Sequence, residues 1–203
     1  MFIEHPSFWV RWIYPRAVWR MDKHEKAVYL TFDDGPIPEA TPFILDTLAQ
    51  YGVKATFFMV GQNVERHPQL YQRIVEEGHQ IGNHTHTHMG ALKHWTITYA
   101  MDTHRANELI RADLFRPPHG LMRPSEYWWL RHRFKVIMWD VITRDYSQWV
   151  TAEDVVNNVK RYTRNGSIIT FHDSLKSIDK LRTALPQCLQ WLKDEGYECK
   201  IFT

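Results

Sequence analysis

The sequence predicts one α/β domain built on a parallel β-sheet of about seven strands. Short β-branched and aromatic runs alternate along the chain with helical segments of ten or more residues. Polar side chains capable of catalysis recur just after the predicted strands. Strands and helices in this order form right-handed crossovers and a parallel sheet. The 203 residues suffice for one sizeable core, and no repeat or flexible linker divides them.

The individual elements follow from hydrophobic spacing and from end signals. The strands are predicted at 27–32, 54–60, 79–84, 114–118, 134–141, 166–173 and 197–202. The helices are predicted at 39–51, 68–78, 96–110, 151–163 and 180–196. Gly52 ends the first helix, and Thr151 is the expected N-cap of the fourth, with Glu153 and Asp154 in its first turn. Pro186 marks a kink or a late start in the last helix.

The N-terminal segment, residues 1–26, is aromatic and basic and precedes a domain at 27–203. Glu4, Arg11 and Arg16 interrupt it, so it has neither the apolar core of a signal peptide nor the about 20 apolar residues of a membrane span. We therefore expect a strap that packs on the domain, and a cytoplasmic protein. Membrane contact through the strap is the alternative that is not favoured.

Composition limits the possible partners. The formal net charge of +2, with no evidently basic face, argues against nucleic acid as a partner. Nine tryptophans fit either a core of large side chains or a cleft that packs on sugar rings. Cys188 and Cys199 are expected to be free, buried thiols rather than a disulfide. The oligomeric state is left open.

Five polar clusters follow five of the predicted strands. They comprise Asp33 and Asp34, His84 to His88, Arg116 with His119, Asp140 with Asp145, and His172 with Asp173. The C-terminal ends of parallel strands share one face, where active sites form. The recurrence of such groups predicts a catalytic site at that face.

The stretch "NHTHTHMG" raises the question of which histidines could hold a metal. In an extended strand His84, His86 and His88 would all point the same way. In a helical turn His84 and His88 share one face and His86 points away. Gly82 and Asn83 indicate that the strand ends by His84, so we expect the helical turn.

A third ligand must then come from elsewhere, and "DDGP" offers two carboxylates. A site of two histidines and one carboxylate leaves a position open for water, as catalytic zinc requires. One Asp can bind the metal while the other takes the proton of the water. Zinc is the first expectation, with cobalt, nickel and iron as alternatives, because such sites accept several metals.

Five motifs in this order, "TFDDGP", "HTHTH", "RPPHG", "WDVITRDY" and "TFHD", resemble those of the polysaccharide deacetylase family, also called the NodB-homology domain or carbohydrate esterase family 4. The resemblance covers residues 28–203. It implies a distorted (β/α) barrel and a metal-dependent hydrolase. Such enzymes remove N-acetyl groups from N-acetylglucosamine in chitooligosaccharides or peptidoglycan, and some act on O-acetyl xylan.

The resemblance also implies residue roles. Asp34, His84 and His88 would hold the metal, with His86 as a spacer and Thr85 ordering the turn. The list of catalytic residues is Asp33 as base, Arg116 as its partner, His172 as general acid and Asp145 as the partner of His172. His119 would supply a backbone N–H to the oxyanion, and Trp139 and Tyr146 would contact the carbohydrate.

Four positions depart from the family pattern. His119 and Tyr146 replace a usual Tyr and Trp, Ile142 replaces an Asp, and Thr170 replaces a Leu. These changes concern the pocket wall more than the reaction. Two other functions remain open: a deacylase of another small N-acyl or O-acetyl sugar, and an inactive carbohydrate-binding relative.

Overall fold

Eight parallel strands form one curled sheet in the computed structural model, which describes residues 8–203. The strands are β1 Ala27–Asp33, β2 Thr56–Met59, β3 Gln80–Asn83, β4 Leu114–Phe115, β5 Lys135–Val136, β6 Val141–Ile142, β7 Ser167–His172 and β8 Glu198–Cys199. Their order is β5-β4-β3-β2-β1-β7-β6, with β8 paired to the start of β1. The predicted fold class, a distorted parallel barrel in one domain, is confirmed.

Eight α-helices accompany the sheet within the described residues. They are α1 Phe8–Ile13, α2 Thr41–Gln50, α3 Gly61–Arg66, α4 Pro68–Glu76, α5 Thr96–Ile110, α6 Pro124–Leu130, α7 Ala152–Tyr162 and α8 Ile178–Asp194. Thr151 caps α7 as predicted, since its hydroxyl accepts a hydrogen bond from the Asp154 N–H at 3.1 Å. Pro186 lies inside α8 and does not mark its start.

The central strand β1 is buried on both faces, and its two faces serve different purposes. Val28, Leu30 and Phe32 pack in the main core with residues of α2, α7 and α8. The alternate positions Tyr29 and Asp33 face the other side, the interior of the barrel, because side chains alternate along a strand. Asp33 is the last residue of this interior row, at the C-terminal end of the strand.

The prediction of a single fifth strand over 134–141 is wrong. The run contains β5 and the start of β6, which lie at opposite edges of the sheet. Only residues 137–140 connect these two edges, so the sheet must curl to bring them together. Residues 136–139 are all apolar and continue past the end of β5, so the hydrophobic pattern gives no sign of the break.

The described part of the N-terminal segment bridges this gap between the edges. The Val18 N–H donates to the Val136 carbonyl at 2.8 Å, beside β5, and the Met21 N–H donates to the Gly166 carbonyl at 2.8 Å, before β7. Tyr14 is buried and donates its hydroxyl to the Met122 carbonyl at 2.7 Å. Residues 1–7 of the predicted strap lie outside the described residues. Within residues 8–203, no helix combines the length and the apolar character needed to span a bilayer.

The two cysteines are free, as predicted. Cys188, on α8, is buried in the core, and Cys199 is half-buried at the end of β8. Burial raises the pKa of each thiol to about 12. Both therefore stay protonated and unreactive at neutral pH.

Candidate active site

Side chains that follow β1, β3, β4, β6 and β7 meet around one cavity of about 310 Å³ at the C-terminal face of the barrel. The lining residues are Asp33, Asp34, His84, His88, Arg116, Pro117, His119, Gly120, Trp139, Ile142, Tyr146, Thr170, His172 and Lys176. A larger, more open groove of about 810 Å³ lies between α5 and α6. That groove contains none of the five polar clusters, so the smaller cavity is the candidate site.

Three side chains form a donor set for a metal ion. One ligand atom each from Asp34, His84 and His88 lies within 4.8 Å of the others. The Asp34 Oδ1 is 3.2 Å from the Nε2 of His88 and 3.7 Å from the Nε2 of His84. The Nδ1 of His84 is 2.7 Å from the Arg116 carbonyl, which can only accept, so the ring proton is on Nδ1. The Nε2 lone pair is thus directed at Asp34.

Electrostatics keep this set in the ligand form. Burial lowers the pKa of His84 to about 4, so the imidazole is neutral at neutral pH. Burial would raise the pKa of Asp34, but the His88 hydrogen bond and the charge of His172 hold it well below its usual range. A neutral imidazole and an ionised carboxylate are the forms that bind a divalent cation.

The histidine stretch is an irregular bend, and the predicted helical turn is wrong. Thr85 and His88 have left-handed backbone conformations, with φ of 65° and 54°. The Asn83 Oδ1 accepts the Thr85 N–H at 2.8 Å, and the Thr85 hydroxyl accepts the Met89 N–H at 3.0 Å. These bonds hold the bend so that His84 and His88 converge. His86 is buried on the other side, 3.8 Å from the Glu65 carboxylate.

Asp33 is held by a buried arginine. Arg116 Nη1 donates to the Asp33 Oδ1 at 2.7 Å and to the Thr31 hydroxyl at 2.7 Å. Its Nη2 donates to the Met138 carbonyl at 2.7 Å, and its guanidinium lies 4.2 Å from the Phe58 ring centroid. Burial outweighs the attraction of Asp33 and lowers the pKa of Arg116 from 12.5, but the group stays charged at neutral pH. The arginine fixes one carboxylate oxygen of Asp33 and leaves the other for the cavity.

His172 lines the same cavity and is paired with Asp145. The Asp145 Oδ1 is 2.8 Å from the Nδ1 of His172, and its Oδ2 accepts the His172 backbone N–H at 2.7 Å. Burial lowers the pKa of His172, yet the Asp145 charge and hydrogen bond raise it to about 9. The Tyr146 ring meets the imidazole edge-on, with centroids 4.7 Å apart. His172 therefore carries a proton at neutral pH.

The loop after β4 brings a backbone N–H to the cavity. His119 has a left-handed φ of 61°, and its ring is 4.9 Å from that of His88. No acceptor within residues 8–203 takes the His119 N–H, whereas the Gly120 N–H donates to the Pro117 carbonyl at 3.0 Å. A Cβ on Gly120 would lie 2.1 Å from the Trp139 ring, so Trp139 packs directly on this loop.

Sequence reasoning assigned no role to Asp173, which supports the metal-side loop. The buried Asp173 accepts the Gly35 N–H at 2.9 Å and the Thr41 hydroxyl at 2.9 Å. Its own N–H donates to the Asp33 carbonyl at 3.0 Å. A Cβ on Gly35 would lie 1.7 Å from the Asp173 carboxylate. Two features of the sequence could have indicated this role of Asp173: its position next to His172 in "HD", and the Gly of "DDGP".

The residues that differ from the family pattern were predicted to lie in the pocket wall, and the structure places Ile142 and Thr170 there. The Thr170 hydroxyl is 3.2 Å from that of Thr31. Asp140 is fully buried away from the cavity, where Arg164 donates to it at 2.7 Å and Arg11 at 2.9 Å. It is a structural acid that ties the N-terminal segment to the domain.

The fold and the site together define a hydrolase that uses a metal-activated water: a parallel barrel with a His₂–carboxylate donor set beside a held carboxylate and a protonated imidazole. The polysaccharide deacetylase family model matches residues 20–131. The chain belongs to the polysaccharide deacetylase family.

Two relatives match this chain over nearly their whole length, and a solved structure shares its fold. The chain is 33% identical to a peptidoglycan-N-acetylglucosamine deacetylase of Bacillus cereus, over 89% of this chain and 88% of that protein. It is 35% identical to a chitooligosaccharide deacetylase of Sinorhizobium fredii, over 91% and 94%. A crystal structure of a peptidoglycan N-acetylglucosamine deacetylase in complex with an N-hydroxybenzamide superimposes with a TM-score of 0.82, at 34% identity, and covers 92% of this chain and 91% of that chain.

Proposed function

We propose that Asp34, His84 and His88 hold a divalent metal with which this deacetylase hydrolyses the N-acetyl group of N-acetylglucosamine residues in an oligo- or polysaccharide. One observation carries the proposal. The three donors share a cavity with the Asp33 carboxyl group, which is paired with Arg116, and with the His172 imidazole, which is paired with Asp145. A base and an acid beside a metal site are what amide hydrolysis requires.

The donor set suits a metal ion on its own chemistry. Two imidazole nitrogens and one carboxylate oxygen leave positions open for water and substrate, as in catalytic zinc sites. When bound, the ion supplies Lewis acidity to the acetyl carbonyl and makes water a nucleophile at neutral pH. Zinc is the first candidate, with cobalt, nickel and iron as alternatives.

Asp33 acts as the general base. Its Oδ1 is occupied by Arg116, so its Oδ2 is the atom that takes the proton of the attacking water. The hydrogen bonds of Arg116 to the Thr31 hydroxyl and the Met138 carbonyl prevent the guanidinium from turning away from Asp33. Positioning of this kind supplies much of the advantage of an enclosed base.

His172 acts as the general acid. Its Nδ1 is committed to Asp145, so its Nε2 carries the proton that the departing sugar nitrogen needs. The raised pKa of about 9 keeps that proton in place at neutral pH. Acetate and a free amine are the products.

Two further features support binding of an N-acetyl sugar. The unpartnered N–H of His119 can donate to the developing oxyanion, a role that needs only the backbone and so tolerates His in place of Tyr. Trp139 and Tyr146 present aromatic faces in the cavity wall, where they can pack on a pyranose ring. The relatives act on two different saccharides by name, so the sugar itself has to be found by assay.

The test is acetate release by zinc- and cobalt-loaded protein from a substrate panel. The panel contains N-acetylglucosamine oligomers, peptidoglycan glycan, acetylated xylan and small N-acyl sugars. We expect release from the first two, and none after the metal is removed by a chelator. Release only from small N-acyl sugars or xylan would contradict the proposed substrate. The predicted cytoplasmic location stays a prediction.

A further inference from the structure

Every acidic group of the cavity already has a partner inside the protein. Asp33 is paired with Arg116, Asp145 with His172, and Asp34 with the two histidines of the donor set. Within residues 8–203, the partners of these carboxylates do not include a lysine. A positive charge at the cavity mouth is available to a ligand.

Two lysines stand at the mouth. Lys176, in the turn between β7 and α8, lines the cavity and is exposed. Lys93 is exposed in the turn 90–93. That turn lies against His119, another lining residue of the cavity, since a Cβ on Gly90 would be 3.4 Å from the His119 ring. The charges of both lysines reach the His119 imidazole and lower its pKa.

Neither ammonium group has a partner within residues 8–203. No carboxylate there lies within 4.0 Å of the Nζ of Lys93 or Lys176, whereas Lys200 contacts both Glu25 and Glu198. Neither Nζ donates a hydrogen bond there either, whereas the neighbouring Lys180 donates to the Ser147 carbonyl at 3.2 Å.

We propose that Lys93 and Lys176 bind a carboxylate of the saccharide substrate, so that the enzyme prefers an anionic N-acetylglucosamine glycan to a neutral one. This inference rests on the proposed function. Two sources offer the same chemistry. An alternating glycan with N-acetylmuramic acid carries a lactyl carboxylate when its peptides are absent. When peptides are attached, the lactyl group is amidated and the peptides supply the carboxylates.

The effect should be modest and sensitive to salt. Exposed ion pairs contribute little each, so loss of one lysine should raise KM for a carboxylate-bearing substrate roughly twofold to fivefold. Screening at high ionic strength should remove the same preference from the wild-type enzyme. Neutralisation of both lysines should have a larger effect than neutralisation of either one.

The experiment compares Lys176→Gln, Lys93→Gln and the double variant with the wild type on three substrates. These are N-acetylglucosamine oligomers, peptide-free alternating glycan and peptide-bearing glycan. We expect the ratio of KM for the carboxylate-bearing glycan to KM for the neutral oligomer to rise in each variant. Whichever of the two glycans shows the rise identifies the source of the carboxylate. Lys160→Gln, an exposed lysine on α7, is the matched control and should leave both KM values unchanged.

The two proposals fail in different ways. Acetate release by the wild type with an unchanged KM ratio in the double variant would overturn this inference alone. No release by metal-loaded wild type from any glycan would overturn the proposed function. In that case, binding of peptide-free and peptide-bearing glycan fragments to wild type and double variant, measured by calorimetry, still decides the role of the lysines: equal affinities would overturn it.

Discussion

Asp33 and His172 are register partners in the parallel ladder between β1 and β7. Residues opposite each other on neighbouring strands point to the same face of the sheet, and the strands are about 4.8 Å apart. The two proton-transfer groups therefore stand side by side at the C-terminal face, each fixed by its own buried partner. A substrate placed over them would have the attacking water near one and the leaving nitrogen near the other.

The pH dependence of turnover should depend on Asp145. In the wild type, kcat should fall on the alkaline side as His172 loses its proton, since its pKa is raised to about 9. The negative charge of Asp34 also contributes to the raised pKa of His172. A divalent ion bound to Asp34 offsets this charge, so the alkaline limb of the metal-loaded enzyme should lie somewhat below pH 9.

In Asp145→Asn the main cause of the raised pKa is gone and burial prevails. The pKa of His172 should then fall, and turnover at neutral pH should fall with it by about 10-fold to 100-fold. The pH profile of kcat measures this, with the exposed Asp194→Asn as control. An alkaline limb at the same pH in wild type and Asp145→Asn would disprove the role of the pair.

Arg116 should be needed for stability as well as for activity. Arg116→Met leaves the Asp33 carboxylate buried beside an apolar side chain, which should cost about 3–5 kcal/mol of unfolding free energy. Urea unfolding measures the loss. Arg66→Met removes an exposed arginine on α3 and should cost little. Similar losses of unfolding free energy in Arg116→Met and Arg66→Met would contradict a stabilising role of the Arg116–Asp33 pair.

Metal binding should require His84 and His88 but not the exposed His104. His84→Ala and His88→Ala should each lose the bound zinc after dialysis, measured by atomic emission. His104→Ala changes a 66% exposed side chain on α5 and should retain the ion. Full metal content in the His84 or His88 variant would refute the assigned donor set.

The contact between Gly120 and Trp139 should matter for catalysis and not only for folding. Gly120→Ala adds a Cβ that meets the Trp139 ring at 2.1 Å, and should displace the loop that carries the His119 N–H. Gly52→Ala is the matched control, since Gly52 has a similar φ of +66° with nothing within 4 Å. Gly52→Ala should lose about 1 kcal/mol of stability, because a positive φ strains any other residue, and Gly120→Ala should lose more, because the Trp139 ring must also move. Only Gly120→Ala should also lose turnover, and equal kcat in the two variants would count against the contact.

The fold could be predicted where the hydrophobic pattern is strong. β1 and β7 were placed within one or two residues, and so were the long helices α5 and α7. The short helices α3 and α6 were missed, although α6 has Pro124 at its start and Glu126 in its first turn. The split between β5 and β6 could not be foreseen, because it depends on closure of the whole barrel and not on local sequence.

The site could be predicted as a set of residues but not as a geometry. Spacing placed His84 and His88 together for the wrong reason, since left-handed residues and not a helical turn make the bend. The support from Asp173 depends on contacts more than 130 positions away in sequence, at Gly35 and Thr41. Long-range contacts of this kind leave no periodic trace in the chain.

The most direct test of the central claim is the rate of acetate release from N-acetylglucosamine oligomers by zinc-loaded wild type and by zinc-loaded Asp33→Asn, measured side by side. Asp113→Asn, at an exposed site, is the control for the substitution itself. The account predicts release by the wild type and the control, and a fall of about 100-fold or more in Asp33→Asn at equal metal content. Release at the wild-type rate by Asp33→Asn would contradict it.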